Sequence, residues 1–171
     1  MKKKIYIILP FKESLNPKVA GAVSIYVKDT LKFSNYKKNT KIISSEDFGN
    51  NKIFRNRIYI KNFCEKYKNK NIDLIEIHNR PEYISVLKKY FPNSKITITF
   101  HNDPISLRDS KTLKQREFLI NSCHKIIFIS RWIQQRFFLN FINSNNQNTE
   151  IIYHGVDKKN NISIKKKNKT I

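Results

Sequence analysis

Glycine is scarce in this sequence, which argues against the nucleotide-binding proteins that depend on glycine-rich loops. Only 3 of the 171 residues are glycine. Neither G-x-G-x-x-G nor G-x-x-x-x-G-K-[ST] occurs, so the sequence supports neither a dinucleotide-binding fingerprint nor a P-loop. The G-x-S-x-G elbow of the α/β-hydrolases is missing as well.

Cysteine, metal-ligand patterns and long apolar runs are also lacking. The two cysteines, Cys64 and Cys123, lie in helix-like segments without C-x-x-C spacing. This favours buried free thiols in a cytosolic protein over a disulfide or a zinc site. No set of His, Asp and Glu has the spacing of metal ligands, so we expect no metal. No apolar run reaches the roughly 18 residues that a membrane-spanning helix needs.

Acidic residues are few, and the formal net charge is +21. Basic domains attract nucleic acid and anionic membranes, so the charge alone permits a polyanion-binding module. However, lysine outnumbers arginine 27 to 7, whereas phosphate and base recognition draws heavily on arginine. Lys, Asn and Ile make up 75 of the 171 residues, and all three have AT-rich codons. The charge is therefore weak evidence, with genome composition favoured as its cause.

Short apolar segments rich in β-branched residues alternate with segments of helical periodicity. Several of the apolar segments are continuous, which is typical of strands buried on both faces of a parallel sheet. The order predicts an α/β fold with a Rossmann-like doubly wound, mostly parallel sheet. The stretch 45–56 is left open as a short strand or a loop. The predicted strands are 4–9, 41–44, 72–77, 95–100, 125–130 and 150–155, and the predicted helices are 20–33, 57–68, 82–91, 112–123 and 131–142.

Side chains suited to chemistry are concentrated at one edge of this predicted sheet. In open parallel sheets, ligands bind at the carboxyl ends of the strands. The links at the opposite edge, such as FPNS, read as ordinary solvated turns. Two of the strand exits carry the same His-Asn dipeptide. The candidate site residues at the exits are His78, Asn79, Arg80, His101, Asn102, Asp103 and Ser130.

Each of these residues also has a purely structural interpretation. His78 and His101 could cap the backbone of a turn, Ser130 is a good helix N-cap, and Asp103 could fix the turn that follows it. Arg80 is either a surface charge or a clamp for an anion or acceptor. The repeated His-Asn context favours function, because imidazole can donate to a developing anion or move a proton near neutral pH.

Taken in chain order, these exits resemble the N-terminal domain of a glycosyltransferase family 4 enzyme, a retaining enzyme of GT-B fold. The family's paired glycines appear here as Ala20 and Gly21, and its Asn-Gly-Val-Asp appears with His154 in the first place. The matching segments lie between residues 4 and 157. They are AGAVSIYV, IEIHNRPEY, ITITFHNDP, KIIFISRWIQQRF and IIYHGVD.

The resemblance implies residue roles. His101 would be the catalytic histidine that contacts the donor sugar, and Gly21 would belong to the loop that approaches the donor diphosphate. Gly155 and Asp157 would lie at the interdomain edge. A nucleotide-sugar would be the co-substrate, with no cofactor and no metal. The residues that would line the acceptor side or the cleft are His78, Asn79, Arg80, Asn102, Asp103 and Ser130.

The resemblance also implies a division of the chain. Residues 1–157 would be the Rossmann-like, acceptor-side half of a GT-B enzyme, and 158–171 a basic linker toward a C-terminal donor-binding domain that this sequence lacks. We therefore expect the chain to be inactive alone. The expected acceptor is a glycan or lipid-linked glycan of bacterial surface polysaccharide or lipopolysaccharide synthesis. The expected location is the cytoplasm or the inner face of the plasma membrane, with no nucleic-acid partner.

The alternative is a basic Rossmann-like module that binds nucleic acid or anionic membrane without catalysis. Nucleic-acid binding predicts a steep salt dependence and indifference to His101→Ala. A transferase domain predicts the reverse.

Overall fold

The computed structural model describes residues 3–16, 18–49, 56–142 and 148–155. Within these ranges the chain forms one parallel sheet with helices in its crossovers, which confirms the predicted α/β class. The strands are β1 (Ile5–Ile8), β2 (Thr40–Ile43), β3 (Leu74–His78), β4 (Lys95–Phe100), β5 (Lys125–Phe128) and β6 (Thr149–Ile151). The α-helices are α1 (Ala22–Phe33), α2 (Asn56–Tyr67), α3 (Ile84–Tyr90), α4 (Leu113–Ser122) and α5 (Arg131–Phe137).

Short 3-10 turns account for two of the differences from the predicted boundaries. One such turn, Ser45–Phe48, occupies the start of the stretch left open above, while residues 50–55 of that stretch lie outside the described part of the chain. Another, Pro81–Tyr83, precedes α3 because proline favours a first helical position. Helix α5 ends at Phe137 rather than near 142, and Asn140 adopts a left-handed backbone with φ of 69°.

The strand order is β2-β1-β3-β4-β5-β6, and every neighbouring pair is parallel. The chain leaves β1 toward β2 on one side and returns to β3 on the other. This reversal places a switch point between the carboxyl ends of β1 and β3, where ligands of doubly wound sheets bind.

Both faces of the central strands are covered, which explains their continuous apolar sequence. Ile8, Ile75, Ile98 and Phe128 face a large core shared with α2 and α3. On the opposite face, a smaller cluster joins Ile5, Ile7 and Leu9 of β1 and its exit to Val23 and Val27 of α1. Each such buried aliphatic side chain contributes roughly 1.5–3 kcal/mol.

Both cysteines are buried in the larger core, as the sequence predicted. Cys64 and Cys123 are free and buried, and burial raises the pKa of each thiol to about 12. Both thiols therefore stay protonated and pack as small apolar side chains.

Candidate functional site

The two histidines of the repeated His-Asn dipeptides meet at the carboxyl edge of the sheet. His78 is the last residue of β3 and is fully buried, while His101 directly follows β4 and is half-buried. The Nδ1 of His78 lies 2.9 Å from the Nε2 of His101, a hydrogen-bond distance. The structure therefore brings together the two residues that the sequence singled out.

Strand geometry explains why these rings face each other. His78 pairs with Thr99 across the β3–β4 ladder, and His101 lies two residues beyond Thr99. Because side chains alternate between faces, Thr99 and His101 share one face of the sheet with His78. This is the face covered by α1, whereas Ile77, Ile98 and Phe100 point into the larger core.

Asn79 locks the two strand exits together. It adopts a left-handed backbone with φ of 51°, and its N–H donates to the carbonyl of Thr99 at 3.0 Å. Its side-chain Oδ1 accepts the backbone N–H groups of His101 at 2.8 Å and of Asn102 at 3.1 Å. Asparagine tolerates this conformation better than most residues. Asn79 thus holds the backbone that carries His101.

Glu76 lies behind the histidine pair. Its side chain leaves β3 on the same face as His78, because the two residues are two positions apart on one strand. The carboxylate Oε1 is 3.1 Å from the Nε2 of His78, although the angle at the ring is not that of a hydrogen bond. The contact is therefore a close polar approach rather than a hydrogen bond.

Tyr26 of α1 and His154 after β6 enclose the other sides of the cluster. Their rings are stacked, with centroids 4.3 Å apart and planes inclined by 23°. The Tyr26 ring meets His101 edge-on at 5.0 Å and His78 at 5.9 Å. The imidazoles of His101 and His154 are 5.1 Å apart. Five side chains from four parts of the chain thus form the imidazole cluster: Tyr26, Glu76, His78, His101 and His154.

The cluster keeps His101 and His154 uncharged. Burial, followed by the neighbouring imidazoles of His78 and His154, lowers the pKa of His101 to about 3. Burial and the His78 ring also lower the pKa of His154. His101 is therefore neutral at physiological pH and can accept or donate a hydrogen bond, but it cannot supply a positive charge.

Gly21 sits at the start of α1, against a carboxylate of the chain itself. A Cβ at Gly21 would overlap the side chain of Glu13, which lies directly beside the glycine. The Oε2 of Glu13 accepts the backbone N–H of Ser24 at 2.8 Å, and Gly21 is the N-cap residue of the helix. In this structure the Glu13 side chain occupies the space beside Gly21, and the approach of a donor diphosphate to this loop stays a prediction.

Two of the predicted site residues have structural roles. Ser130 is the N-cap of α5 and accepts the N–H of Ile133, as its alternative interpretation predicted. Asp103 caps the turn Pro104–Ser106 through the N–H of Ile105 and pairs with the guanidinium of Arg136 at 2.9 Å. That guanidinium lowers the pKa of Asp103.

The remaining predicted residues that the structure describes are more exposed than His78 and Asn79. Asn102 is exposed, and Arg80 is half-buried, donating from Nη1 to the carbonyl of Asn79 at 3.0 Å. The Nε of Arg80 is buried without a hydrogen-bond partner in the described part of the chain. Gly155 is exposed beyond β6, and a Cβ added to it would meet none of the described residues within 4 Å, whereas Asp157 lies outside the described residues.

A separate cavity of about 520 Å³ opens between α2 and α3. It shares no lining residue with the imidazole cluster but includes Glu82 and Tyr83, which closely follow Arg80. Its cationic side chains are Arg57, Lys61, Lys89 and Arg108, and its acidic ones are Glu82 and Asp109.

Two searches of the described residues gave negative results. Nowhere in them do three or more His, Cys, Asp or Glu side chains come together as a possible metal site. In the same residues, none of the helices has the length and apolarity required to cross a membrane.

Sequence reasoning missed Glu76 and the role of Tyr26, and it treated His154 as a departure from a motif. Glu76 was detectable, because it precedes His78 by two residues on one strand face. Tyr26 carries no such signal, because nothing in the sequence joins it to His154, 128 positions later.

Two curated relatives show similarity to part of the chain, while no family model matches it. A Bacillus subtilis (strain 168) protein named "Putative glycosyltransferase YtcC" is 31% identical over 99 residues, 58% of this chain and 24% of the relative. "Spore coat protein SA" of the same organism is 29% identical over 92 residues, 54% of this chain and 24% of the relative. The chain thus spans about a quarter of the length of these relatives. The similarities support a relationship between this α/β domain and glycosyltransferases.

Proposed function

We propose that this chain is the acceptor-side domain of a retaining glycosyltransferase of GT-B type, which moves a sugar from a nucleotide-sugar to a glycan or lipid-linked acceptor. The observation that carries the proposal is the imidazole cluster at the carboxyl ends of β3 and β4, beside the switch point of a doubly wound sheet. The similarity to a protein named as a glycosyltransferase supports the same class.

His101 is the proposed catalytic residue. It is partly accessible, its backbone is held by Asn79, and its ring is neutral. A neutral imidazole can bind a hydroxyl group of the donor sugar and orient the anomeric carbon. In the proposed reaction the bond from the anomeric carbon to the diphosphate oxygen breaks, and the acceptor oxygen bonds to that carbon on the same face. The acceptor's proton passes to the departing diphosphate.

The start of α1 is the proposed approach for the donor diphosphate. Backbone N–H groups at a helix start attract anions, and charge stabilisation of this kind requires no metal. Glu13 currently accepts one such N–H, from Ser24. We therefore propose that the Glu13 carboxylate moves away when the diphosphate arrives.

The proposed acceptor carries an anionic group. Arg80 directly follows the His78-Asn79 pair and donates to the carbonyl of Asn79. The cavity lined by Glu82 and Tyr83, shortly after it in the chain, bears four cationic side chains and two acidic ones. A phosphate-linked lipid acceptor at the cytoplasmic face of the membrane fits this charge, since each well-placed basic residue near an anionic surface contributes roughly 1 kcal/mol. Bacterial surface polysaccharide or lipopolysaccharide synthesis is the proposed setting.

The proposed donor-binding half is a second domain joined through the segment that begins near 158. We propose that the 171-residue chain alone transfers no sugar. The test starts by reading the natural reading frame beyond the codon for Ile171 and purifying the complete product.

The complete product would then be incubated with UDP-, GDP-, dTDP- and ADP-sugars and a bacterial lipid extract, and released nucleoside diphosphate would be measured. The proposal expects release with at least one donor, dependent on the extract, and none from the 171-residue chain. Transfer by the 171-residue chain alone would contradict the proposed division. No release by the complete product, together with salt-sensitive nucleic-acid binding that His101→Ala leaves unchanged, would favour the basic binding module instead.

A further inference from the structure

Glu76, His78 and His101 form a continuous chain of polar contacts that runs outward from the sheet. Glu76 Oε1 is 3.1 Å from His78 Nε2, and His78 Nδ1 is 2.9 Å from His101 Nε2. His78 has no exposed side-chain surface, whereas Glu76 is 26% exposed and His101 is half-buried. In this structure His78 therefore presents no surface to an acceptor, although the resemblance implied that it would line the acceptor side.

The charge of Glu76 selects the protonation pattern of His78. A neutral imidazole carries its proton on one nitrogen and a lone pair on the other. A lone pair on Nε2 would face the carboxylate oxygen at 3.1 Å, which is repulsive, whereas a proton there is attracted. The carboxylate thus favours the proton on Nε2 and the lone pair on Nδ1, whatever the exact angle of the contact.

The tautomer of His78 in turn determines the tautomer of His101. If His78 Nδ1 is the acceptor, His101 must donate from Nε2 across the 2.9 Å contact. Because the pKa of His101 is lowered to about 3, the ring carries only this one proton at physiological pH. Its Nδ1 then bears a lone pair, and no group in the described part of the chain hydrogen-bonds to that nitrogen.

We propose that Glu76 and His78 are positioning residues that hold His101 as the Nε2–H tautomer and leave its Nδ1 free to accept a hydrogen bond from a sugar hydroxyl group. The role of Nδ1 toward a sugar rests on the proposed function; the tautomer itself does not. Second-layer partners of a working histidine commonly fix its tautomer and ring orientation in this way.

The surroundings leave His101 little alternative. Asn79 fixes its backbone N–H, Tyr26 lies edge-on to its ring, and the neutral His154 lies beyond. Burial and then the charge of Glu76 raise the pKa of the Tyr26 hydroxyl, which therefore stays protonated. The titratable groups around His101 are thus Tyr26 from α1, Glu76 and His78 from β3, and His154 after β6.

The test is an imidazole ¹⁵N nuclear magnetic resonance spectrum of the 171-residue chain at neutral pH, with no sugar present. The expected spectrum shows His78 and His101 both protonated at Nε2 and unprotonated at Nδ1. His101 protonated mainly at Nδ1 in the wild-type chain would overturn the proposal without any variant.

Variants test the direction of the effect. Glu76→Gln removes the charge and should shift both rings toward a mixture of tautomers, whereas the matched control Glu150→Gln on β6 should leave them unchanged. His78→Phe removes the acceptor, while His78→Asn can place an amide oxygen near the position of Nδ1 and should restore the His101 tautomer. An unchanged His101 spectrum in both Glu76→Gln and His78→Phe would overturn the proposal.

The activity of the complete product separates this proposal from the proposed function. His78→Phe should lower kcat by about 10- to 100-fold with little change in KM, and His78→Asn should recover most of the loss. If the full-length protein shows the proposed tautomers but transfers no sugar, the positioning role of Glu76 and His78 is supported and the proposed transferase function is rejected. Transfer that is indifferent to His78→Phe would overturn the positioning role while keeping the transferase.

Discussion

The two His-Asn pairs are identical in sequence but occupy different environments. His78 is fully buried and Asn79 is 5% exposed, whereas His101 is half-buried and Asn102 is exposed. The first pair supports the backbone and ring of the second. The second pair is the one presented toward solvent at the edge of the sheet.

The position of each pair relative to its strand explains the difference. His78 is the last paired residue of β3, and Asn79 turns the chain at once through a left-handed conformation. His101 is the first residue after β4, so it lies one residue beyond the end of its strand. The same dipeptide therefore holds the site in one place and forms its surface in the other.

The largest expected effect is on the supporting pair. Asn79→Ala removes the acceptor of two backbone N–H groups in a part-buried turn and forces alanine into a left-handed conformation. We expect a loss of about 2–4 kcal/mol in the free energy of unfolding, measured by urea denaturation. Asn102→Ala, the matched change in the presented pair, should cost less than about 0.5 kcal/mol. Equal losses in the two variants would remove the distinction between the pairs.

The next effect concerns the pH dependence of the presented histidine. The folded-state pKa of His101, about 3, lies below the usual value for histidine, so the unfolded chain binds a proton at pH values where the folded chain does not. Stability should therefore fall as the pH drops from about 6.5 toward about 3. Urea midpoints measured at neutral and at mildly acidic pH would reveal this fall.

His101→Gln should reduce that fall in stability, because the titrating ring is gone. His124→Gln removes an exposed histidine at the opposite edge of the sheet and should reduce the fall less. An acid-induced loss that is the same in His101→Gln as in the wild type would show that His101 is not held neutral.

A smaller effect on stability is expected from changing Ser130, which follows the end of β5. This residue caps helix α5 and does not belong to the imidazole cluster. Ser130→Ala removes the oxygen that accepts the N–H of Ile133 and should cost about 1 kcal/mol of stability. Ser130→Asp keeps a capping acceptor and should retain most of the stability. If Ser130→Asp were as unstable as Ser130→Ala, capping would not be the role of this residue.

The smallest effect is expected at the Asp103–Arg136 pair, which lies at the surface. The guanidinium lowers the pKa of Asp103, so the pair stabilises the fold above the unfolded-state pKa of aspartate and is lost as pH falls through the lower folded value. Arg136→Gln should lower the thermal midpoint slightly at neutral pH and not at all in strong acid. A difference that persists unchanged in acid would mean that Arg136 acts by packing on Trp132 rather than by charge.

The sequence predicted the alternation of elements and the edge that gathers His78 and His101, because periodicity and strand direction are local properties. The sequence could not show which of the two His-Asn pairs supports the backbone at that edge and which pair is exposed there. The roles of Asn79 and Glu76 depend on the register between β3 and β4 and on one left-handed turn. Tyr26 and His154 meet only after β6 has joined the sheet, so their stacking is a property of the topology.

The most direct measurement compares His101→Ala with His124→Ala in the complete reading-frame product, using a donor and an acceptor extract that support transfer. The proposed site predicts a loss in kcat/KM of at least about 100-fold for His101→Ala, with an unfolding transition close to that of the wild type. His124→Ala should stay within about twofold of the wild type. A comparably small change for both variants would contradict the placement of sugar transfer at the imidazole cluster.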